Sequence, residues 1–252
     1  MKPLITKILP ARGFSQLAHM SLVALLPLLL FVVLRSSYLG LPLALALILL
    51  SKWRMFAMRP RFWPAIIRAN SLDIMVGVSV VAFMHSASDQ PFIQFIWVIA
   101  YAAWLLLLKP GTGIFLVSAQ AFVGQLAGLV SLYLVWADGP LYGLVISTAL
   151  VCYISARHFF DSFDEPYSKM LAYLWAYFGG ALAWVLGHWL LFYAFISQPT
   201  LILTIVGYGL AVLYYFDHYD KLTVILRRQM IAVMLVVLIF IIVFADWRDK
   251  VV

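Results

Sequence analysis

Charged side chains are scarce in this sequence. Only 11% of the 252 residues are charged, whereas 65% are hydrophobic, and the mean hydropathy is +1.03. Soluble domains carry about 25% charged and roughly 45–50% apolar residues, so a soluble fold of this composition would expose large apolar patches and aggregate. In lipid the same composition is stable, because the surrounding solvent is itself apolar. The shortage of charge therefore predicts an integral membrane protein.

Cysteine is almost absent, and so are the motifs of familiar enzymes. The single cysteine, Cys152, excludes a disulfide within one chain and any site built from several cysteine ligands. The sequence has no glycine-rich phosphate loop, no His-Glu-x-x-His and no Gly-x-Ser-x-Gly. Every lysine lies outside or at the edge of an apolar segment, which argues against a Schiff base inside the bundle. No motif names a reaction, so the sequence leaves open whether the protein is an enzyme.

Apolar segments of transmembrane length are abundant instead. A helix needs about 20 residues to cross the hydrocarbon of a bilayer, and polar or Pro/Gly-rich breaks separate such segments here. The pattern predicts an all-α, polytopic transmembrane helix bundle with about nine spans, forming one integral membrane domain over residues 1–252. The predicted spans are residues 15–35, 38–55, 71–87, 91–108, 113–136, 139–156, 170–196, 199–216 and 229–246.

The start of the chain is its least regular part. Residues 1–18 contain helix breakers, among them Pro3 and Pro10, and are predicted to lie at the membrane interface. The two spans between residues 15 and 55 are short and are separated by Arg35. A re-entrant hairpin is the alternative to two full crossings, and either arrangement returns the chain to its starting side.

Basic residues give the predicted orientation. With the N-terminus in the cytoplasm, only Arg35, Arg248 and Lys250 of the 17 lysines and arginines fall outside. This asymmetry predicts a multi-pass protein of the cell membrane with its N-terminus inside and its C-terminus outside. The basic cytoplasmic loop 52–70 is predicted to contact anionic lipid. Membrane placement accounts for the net charge of +7 without any nucleic acid partner.

Two acidic clusters share the pattern Phe-Asp-x-aromatic-Asp, which is compatible with a duplicated two-helix unit or with chance. Carboxylates three residues apart lie on one helix face. Converging clusters would therefore form an acidic pocket for a divalent cation or a proton relay. The alternative is a pair of solvated helix ends. The candidate metal ligands are His158, Asp161, Asp164, Glu165, Asp217, His218 and Asp220.

A second group of polar residues suggests a substrate or ion path. His188 falls inside the predicted seventh span, with Tyr177 and Trp184 at helical spacing on the same face. Ionisable residues inside spans are often functional, although a histidine bonded to a neighbouring helix is the simpler interpretation.

The fifth predicted span contributes two amides, Gln120 and Gln125, beside Gly124 and Gly128. These small residues favour close helix packing, and the amides either bond across helices or line the path. Asp73 is interpreted either as a carboxylate in the first turn of a helix or as a functional group on the path.

Three functions are compatible with these features. A transporter or lipid-handling protein of unknown substrate is the leading hypothesis. The first alternative is an integral membrane enzyme with a divalent-metal site at the cytoplasmic face that acts on a lipid-linked substrate. The second is a structural subunit that packs against other membrane proteins.

Overall fold

The computed structural model of the protein describes residues 14–36, 40–52, 59–107, 113–190, 192–193 and 196–244, with side chains from Leu25 onward in the first helix. Within these ranges the chain forms nine α-helices, one 3₁₀ turn and one short β-hairpin. The helices are α1 (Phe14–Ser36), α2 (Gly40–Ser51), α3 (Trp63–Ser86), α4 (Pro91–Leu107), α5 (Ile114–Trp136), α6 (Leu141–Asp161), α7 (Ser168–Gly187), α8 (Gln198–His218) and α9 (Val224–Val243). Strands β1 (Phe192–Tyr193) and β2 (Ile196–Ser197) pair antiparallel between α7 and α8.

Six of the described helices are long and apolar enough to cross a membrane: α3 with its preceding turn, α5, α6, α7, α8 and α9. Three apolar helical segments are shorter, namely Leu25–Ser36 of α1, α2 and Pro91–Leu106 of α4. The protein is therefore an all-α bundle of apolar helices suited to a membrane. The predicted count of nine spans exceeds the six helices that meet the requirements of length and hydropathy.

The second predicted span is wrong in its length. Residues 38–55 were expected to cross the membrane, but α2 has 12 residues and ends at Ser51. A helix of this length rises about 18 Å, well short of the roughly 30 Å of hydrocarbon. Helix α2 by itself is therefore too short to cross the hydrocarbon.

The seventh predicted span, residues 170–196, is also too long. Helix α7 ends at Gly187 after 20 residues, a rise of about 30 Å that already matches the hydrocarbon. The chain then forms the β1–β2 hairpin before Ser197 caps α8 by accepting a hydrogen bond from the Thr200 N–H. The apolar residues after Gly187 therefore belong to a connection and not to the helix.

The basic loop 52–70 is shorter than predicted, because α3 begins at Trp63 and not near residue 71. A 3₁₀ turn over Pro60–Phe62 leads into the helix, and Pro64 lies in its first turn. Proline is common at the start of a helix because its fixed φ suits the helical conformation. An N–H at this position would have no partner within the helix, so nothing is lost by its absence. Residues 1–13 of the predicted interfacial segment and residues 53–58 of the loop lie outside the described residues.

Helix α3 joins the two packed parts of the bundle. One apolar core lies between α1, α2, α3 and α4, around Ile48, Val80 and Met84. The other contains Leu129, Cys152 and Leu203 from α5, α6 and α8. The predicted close packing at the two glycines of α5 is confirmed, because Gly124 lies against Leu72 of α3, and Gly128 lies against Met75 of α3 and Val151 of α6.

Helix α9 lies at the edge of the bundle, with only 6% of its apolar window buried. Ile241 is its one buried residue and packs with Leu186 and Ile202. The Tyr193 hydroxyl of the hairpin donates to the Ile241 carbonyl over 2.7 Å. Since the last carbonyls of a helix lack partners within the helix, Tyr193 caps the C-terminal end of α9.

Candidate functional site

The two acidic clusters end α6 and α8 with the same backbone motif. Asp164 and Asp220 both adopt left-handed conformations, with φ of 52° and 53°. The residue after each of these aspartates donates its backbone N–H to the carbonyl of the phenylalanine five positions earlier. These hydrogen bonds run from Glu165 to Phe160 and from Lys221 to Phe216. The left-handed aspartate also bonds to the carbonyl three residues before it.

These two hydrogen bonds define the Schellman ending of a helix, in which a left-handed residue follows the last turn. Glycine is the commonest residue there, and aspartate tolerates the left-handed region better than most others. The repeated Phe-Asp-x-aromatic-Asp pattern thus corresponds to two instances of one local helix-ending motif. The structure supplies a local explanation for the repeat that needs no duplicated two-helix unit.

The acidic side chains of the clusters separate instead of converging. Asp161 binds Arg157, whereas His158 faces α5, its Nε2 3.3 Å from Oε1 of Gln120. Asp217 and Asp220 are exposed at the end of α8. Among the described residues, which include all seven candidate ligands, no three His, Cys, Asp or Glu side chains are grouped closely enough to hold a metal ion.

Aromatic rings, and not the carboxylates of the expected acidic pocket, connect the ends of α6 and α8. Phe163 packs edge-on against Tyr214 and against the His218 ring, whose centroid is 5.0 Å away. The Tyr214 hydroxyl donates to the Glu165 carboxylate. The ends of α6 and α8 therefore do meet, through an aromatic cluster with one charged hydrogen bond.

Asp73 is not at the start of a helix, because α3 begins ten positions earlier in the chain, at Trp63. Its Oδ2 lies 2.9 Å from Lys52 Nζ, and its Oδ1 accepts a hydrogen bond from the Trp104 indole N–H over 3.3 Å. The capping expectation was wrong because the polar residues 68–71 lie within the helix and do not precede it. Asp73 instead ties the ends of α2 and α4 to α3.

The predicted path through α7 is not directed into the bundle. Tyr177 and Trp184 are 78% and 53% exposed on the outer surface. His188 lies just beyond the end of the helix, also exposed, with Nδ1 2.8 Å from the Trp184 carbonyl oxygen. The opposite face of α7 carries Gly179 and Gly180, which pack against α6. This close packing directs the aromatic face outwards.

Gln125 lies where four helices enclose an apolar cavity of about 530 Å³, between α5, α6, α7 and α8. We call this cavity the crevice. The Trp175 indole N–H donates to Gln125 Oε1 over 2.9 Å, and Gln125 Nε2 donates to the Leu203 carbonyl over 3.2 Å. The other polar lining side chains, Ser118, Ser155 and Tyr214, also bond within the protein. The wall therefore presents hydrocarbon to whatever fills it.

The crevice opens sideways between α7 and α8. Leu174 and Leu210 line it and are also 57% and 48% exposed on the outer surface of the bundle. Phe178 is likewise shared between the lining and the outer surface. The crevice is therefore open to the outer surface between these two helices.

A second cavity, of about 780 Å³, lies on the other side of α6, against the first turns of α3 and α5. We call it the rim cavity. Its polar lining includes Arg68, Arg157, His158 and Asp161, and its walls include Ile67 and Val117. Arg157 is 7% exposed, donates to Ser168 Oγ over 2.7 Å, and forms an ion pair with Asp161 Oδ1 at 3.0 Å.

Sequence reasoning overlooked the two residues that organise these cavities. Arg157 was interpreted as an ordinary cytoplasmic cation, although its position one turn inside the end of α6 indicates that it must be partly buried. Trp175 carried no signal, since a tryptophan in an apolar span most often faces lipid or the core. Comparison of the chain with protein-family models, with curated proteins and with solved structures finds no match to any of them.

Proposed function

We propose that this is a lipid-handling membrane protein that admits the hydrocarbon chain of a lipid into the crevice between α7 and α8. The observation that carries the proposal is the internally satisfied wall. Every polar side chain lining the crevice already has a partner in the protein. A sugar, an amino acid or an ion would find the hydroxyl and indole donors of the wall already engaged and would regain little of the hydration that it loses.

The size and access of the crevice support the same proposal. Ligand pockets commonly enclose about 300–1,000 Å³ and are lined mainly by apolar and aromatic groups; the crevice, at about 530 Å³, lies within this range. Its lateral opening at Leu174 and Leu210 favours entry from the bilayer. In the orientation that the basic residues predict, with the N-terminus cytoplasmic and the protein in the cell membrane, the crevice lies in the inner half.

Substitution of Gly207 tests whether a lipid chain occupies the crevice. A side chain at this position of α8 would meet Gln125 and Trp175, each with an atom 3.0 Å from the added Cβ. We expect Gly207→Leu and Ala211→Phe to fill the crevice, while Val236→Leu on the outward face of α9 serves as the matched control. Native mass spectrometry of detergent-purified protein should show one retained lipid on the wild type and the control, and none on the crevice variants.

Reconstituted vesicles then test lipid handling itself. Wild-type protein should accelerate the transbilayer movement of a fluorescent phospholipid, measured by quenching with dithionite, and the crevice variants should lose this acceleration. Flux of ions or sugars through the wild type, with lipid movement unchanged, would contradict the proposal and favour a transporter of polar substrates. Lipid retention that is equal in all four proteins would also contradict it.

A role as a subunit of a larger membrane complex has one specific observation in its favour. Helix α9 is only 6% buried over its apolar window, so its surface is free for lipid or for another membrane protein. Purification in a mild detergent, with the mass measured by light scattering, distinguishes a monomer from a complex. The metal-dependent enzyme is less well supported, because its seven candidate ligands do not gather around one point.

A further inference from the structure

The rim cavity carries more positive charge than its own partners neutralise. Two guanidinium groups, Arg68 and Arg157, face a single carboxylate, Asp161. Arg157 is held at 3.0 Å from this carboxylate, whereas Arg68 Nε is 3.8 Å away. Since 3.8 Å is too long for a hydrogen bond, Arg68 interacts with Asp161 only through charge.

Arg157 is also incompletely bonded. Its Nη groups bind Ser168 and Asp161, but its Nε–H has no partner within the described part of the chain. Leaving a buried donor unpaired is costly, and more so on a charged group. A further anion beside the guanidinium would supply the partner that this buried donor lacks.

The remaining lining suits an anion and not a cation. Asp161, the one carboxylate among the lining residues, already lies beside Arg157 and Arg68, and His158 Nε2 is within hydrogen-bonding distance of Gln120. Ser71 and Tyr153 also line the cavity beside the two arginines, and neither carries a charge that would repel an anion. Planar guanidinium groups match the oxygen geometry of phosphate, which they bind through paired hydrogen bonds.

We propose that the rim cavity binds a phosphate-bearing anion between Arg68 and Arg157, at the end of the bundle where α3 and α6 meet. Two sources share this chemistry, a lipid headgroup and a free phosphate. The apolar wall at Ile67 and Val117 would suit the first part of a lipid chain. The site lies on the other side of α6 from the crevice and does not depend on the proposed function of that crevice.

The test uses the full chain purified in a neutral detergent. Thermal unfolding is followed by tryptophan fluorescence with inorganic phosphate, with chloride at equal ionic strength, with dioleoyl phosphatidate and with dioleoylglycerol. A ligand that binds only the folded state raises the unfolding midpoint. We expect a rise of about 3 °C or more with phosphatidate, with phosphate or with both, and none with chloride or dioleoylglycerol.

Three variants make the result specific. Arg68→Gln removes a half-exposed cation and should weaken the apparent affinity roughly tenfold. Arg61→Gln is the matched control, because this exposed arginine stacks on Phe62 and does not line the cavity. Asp161→Asn removes the competing carboxylate and should strengthen the affinity several-fold, although the unliganded variant should itself be less stable.

Each outcome bears on the proposal. Stabilisation by phosphate alone identifies a free anion as sufficient, and stabilisation by phosphatidate alone identifies a lipid headgroup. Equal weakening by Arg61→Gln and Arg68→Gln would show general attraction to a basic surface and would overturn the site. Loss of binding in Asp161→Asn, or stabilisation by Mn²⁺ in place of phosphate, would overturn it in favour of a cation site. Gly207→Leu, which fills the crevice, should leave phosphate binding at the rim cavity unchanged. The experiment can therefore reject the anion site without rejecting the proposed lipid site, and the reverse.

Discussion

Lys52 Nζ lies 2.9 Å from Asp73 Oδ2, joining the residue that follows the short helix α2 to the middle of α3. The Trp104 indole N–H reaches the other oxygen of the same carboxylate. One aspartate thus holds together three helices, two of which, α2 and α4, are shorter than a full span.

We expect Lys52→Met to lower the free energy of unfolding by about 1 kcal/mol, because the partly buried Asp73 carboxylate loses its ion-pair partner. Denaturant unfolding in mixed micelles measures the change. The double variant with Asp73→Asn should cost less than the sum of the two single variants. Strict additivity would show that the two residues do not interact energetically.

Glycine at the left-handed helix ends should stabilise the protein. Asp164→Gly and Asp220→Gly relieve a backbone conformation that residues with a Cβ adopt at a cost, so we expect a gain of roughly 0.5–1 kcal/mol each. Asp217→Gly is the control, since this aspartate lies inside the last turn of α8, where glycine should destabilise by a similar amount. Equal effects at positions 217 and 220 would contradict the assigned helix ending.

Tyr193→Phe should loosen the C-terminal end of α9. The variant removes the hydrogen bond from the phenol to the Ile241 carbonyl, worth about 1 kcal/mol, while keeping the ring. We expect faster amide hydrogen exchange in the last two turns of α9, with the exchange of α5 unchanged as an internal control. Unchanged exchange in α9 would show that lipid or detergent contact positions this helix by itself.

The same hydrogen bond should persist to high pH. Partial burial raises the pKa of the Tyr193 phenol above its ordinary value of 10.0, because desolvation disfavours the phenolate. The stabilisation is therefore complete below pH 10 and is lost as the pH rises through the folded-state pKa. The difference in stability between wild type and Tyr193→Phe should stay constant from pH 6 to about pH 9. A difference that shrinks within this range would contradict the assignment.

Trp175→Phe should weaken lipid retention in the crevice less than Gly207→Leu does. The variant leaves the crevice open but removes the indole N–H that donates to Gln125 Oε1. This amide oxygen is then left without a hydrogen-bond donor in an apolar cavity. We expect reduced stability of about 1–2 kcal/mol and a measurable loss of bound lipid by native mass spectrometry. Trp184→Phe, on the exposed face of α7, should change neither quantity.

The sequence by itself determined the class of the protein. Its scarcity of charge and its repeated apolar segments require lipid as the solvent, and the breaks between them locate most helices to within a few residues. It also located the close contacts at Gly124 and Gly128, because small residues in a span have few other uses. Helix ends were less predictable: α7 ends at Gly187, although mostly apolar residues continue after His188, and its 20 residues already give the roughly 30 Å rise that matches the hydrocarbon.

Tertiary structure decided what the polar residues do. Apolar periodicity is weak when both lipid and core are apolar, so the sequence does not reveal that Tyr177 faces outwards or that Gln125 faces a cavity. The two acidic clusters look like a shared site in sequence, but each forms its own helix ending at Asp164 or Asp220, and among the described residues their side chains do not gather into a metal site. The buried Arg157 at this end has its partners on α6 and α7, Asp161 and Ser168, and this arrangement exists only when those helices pack.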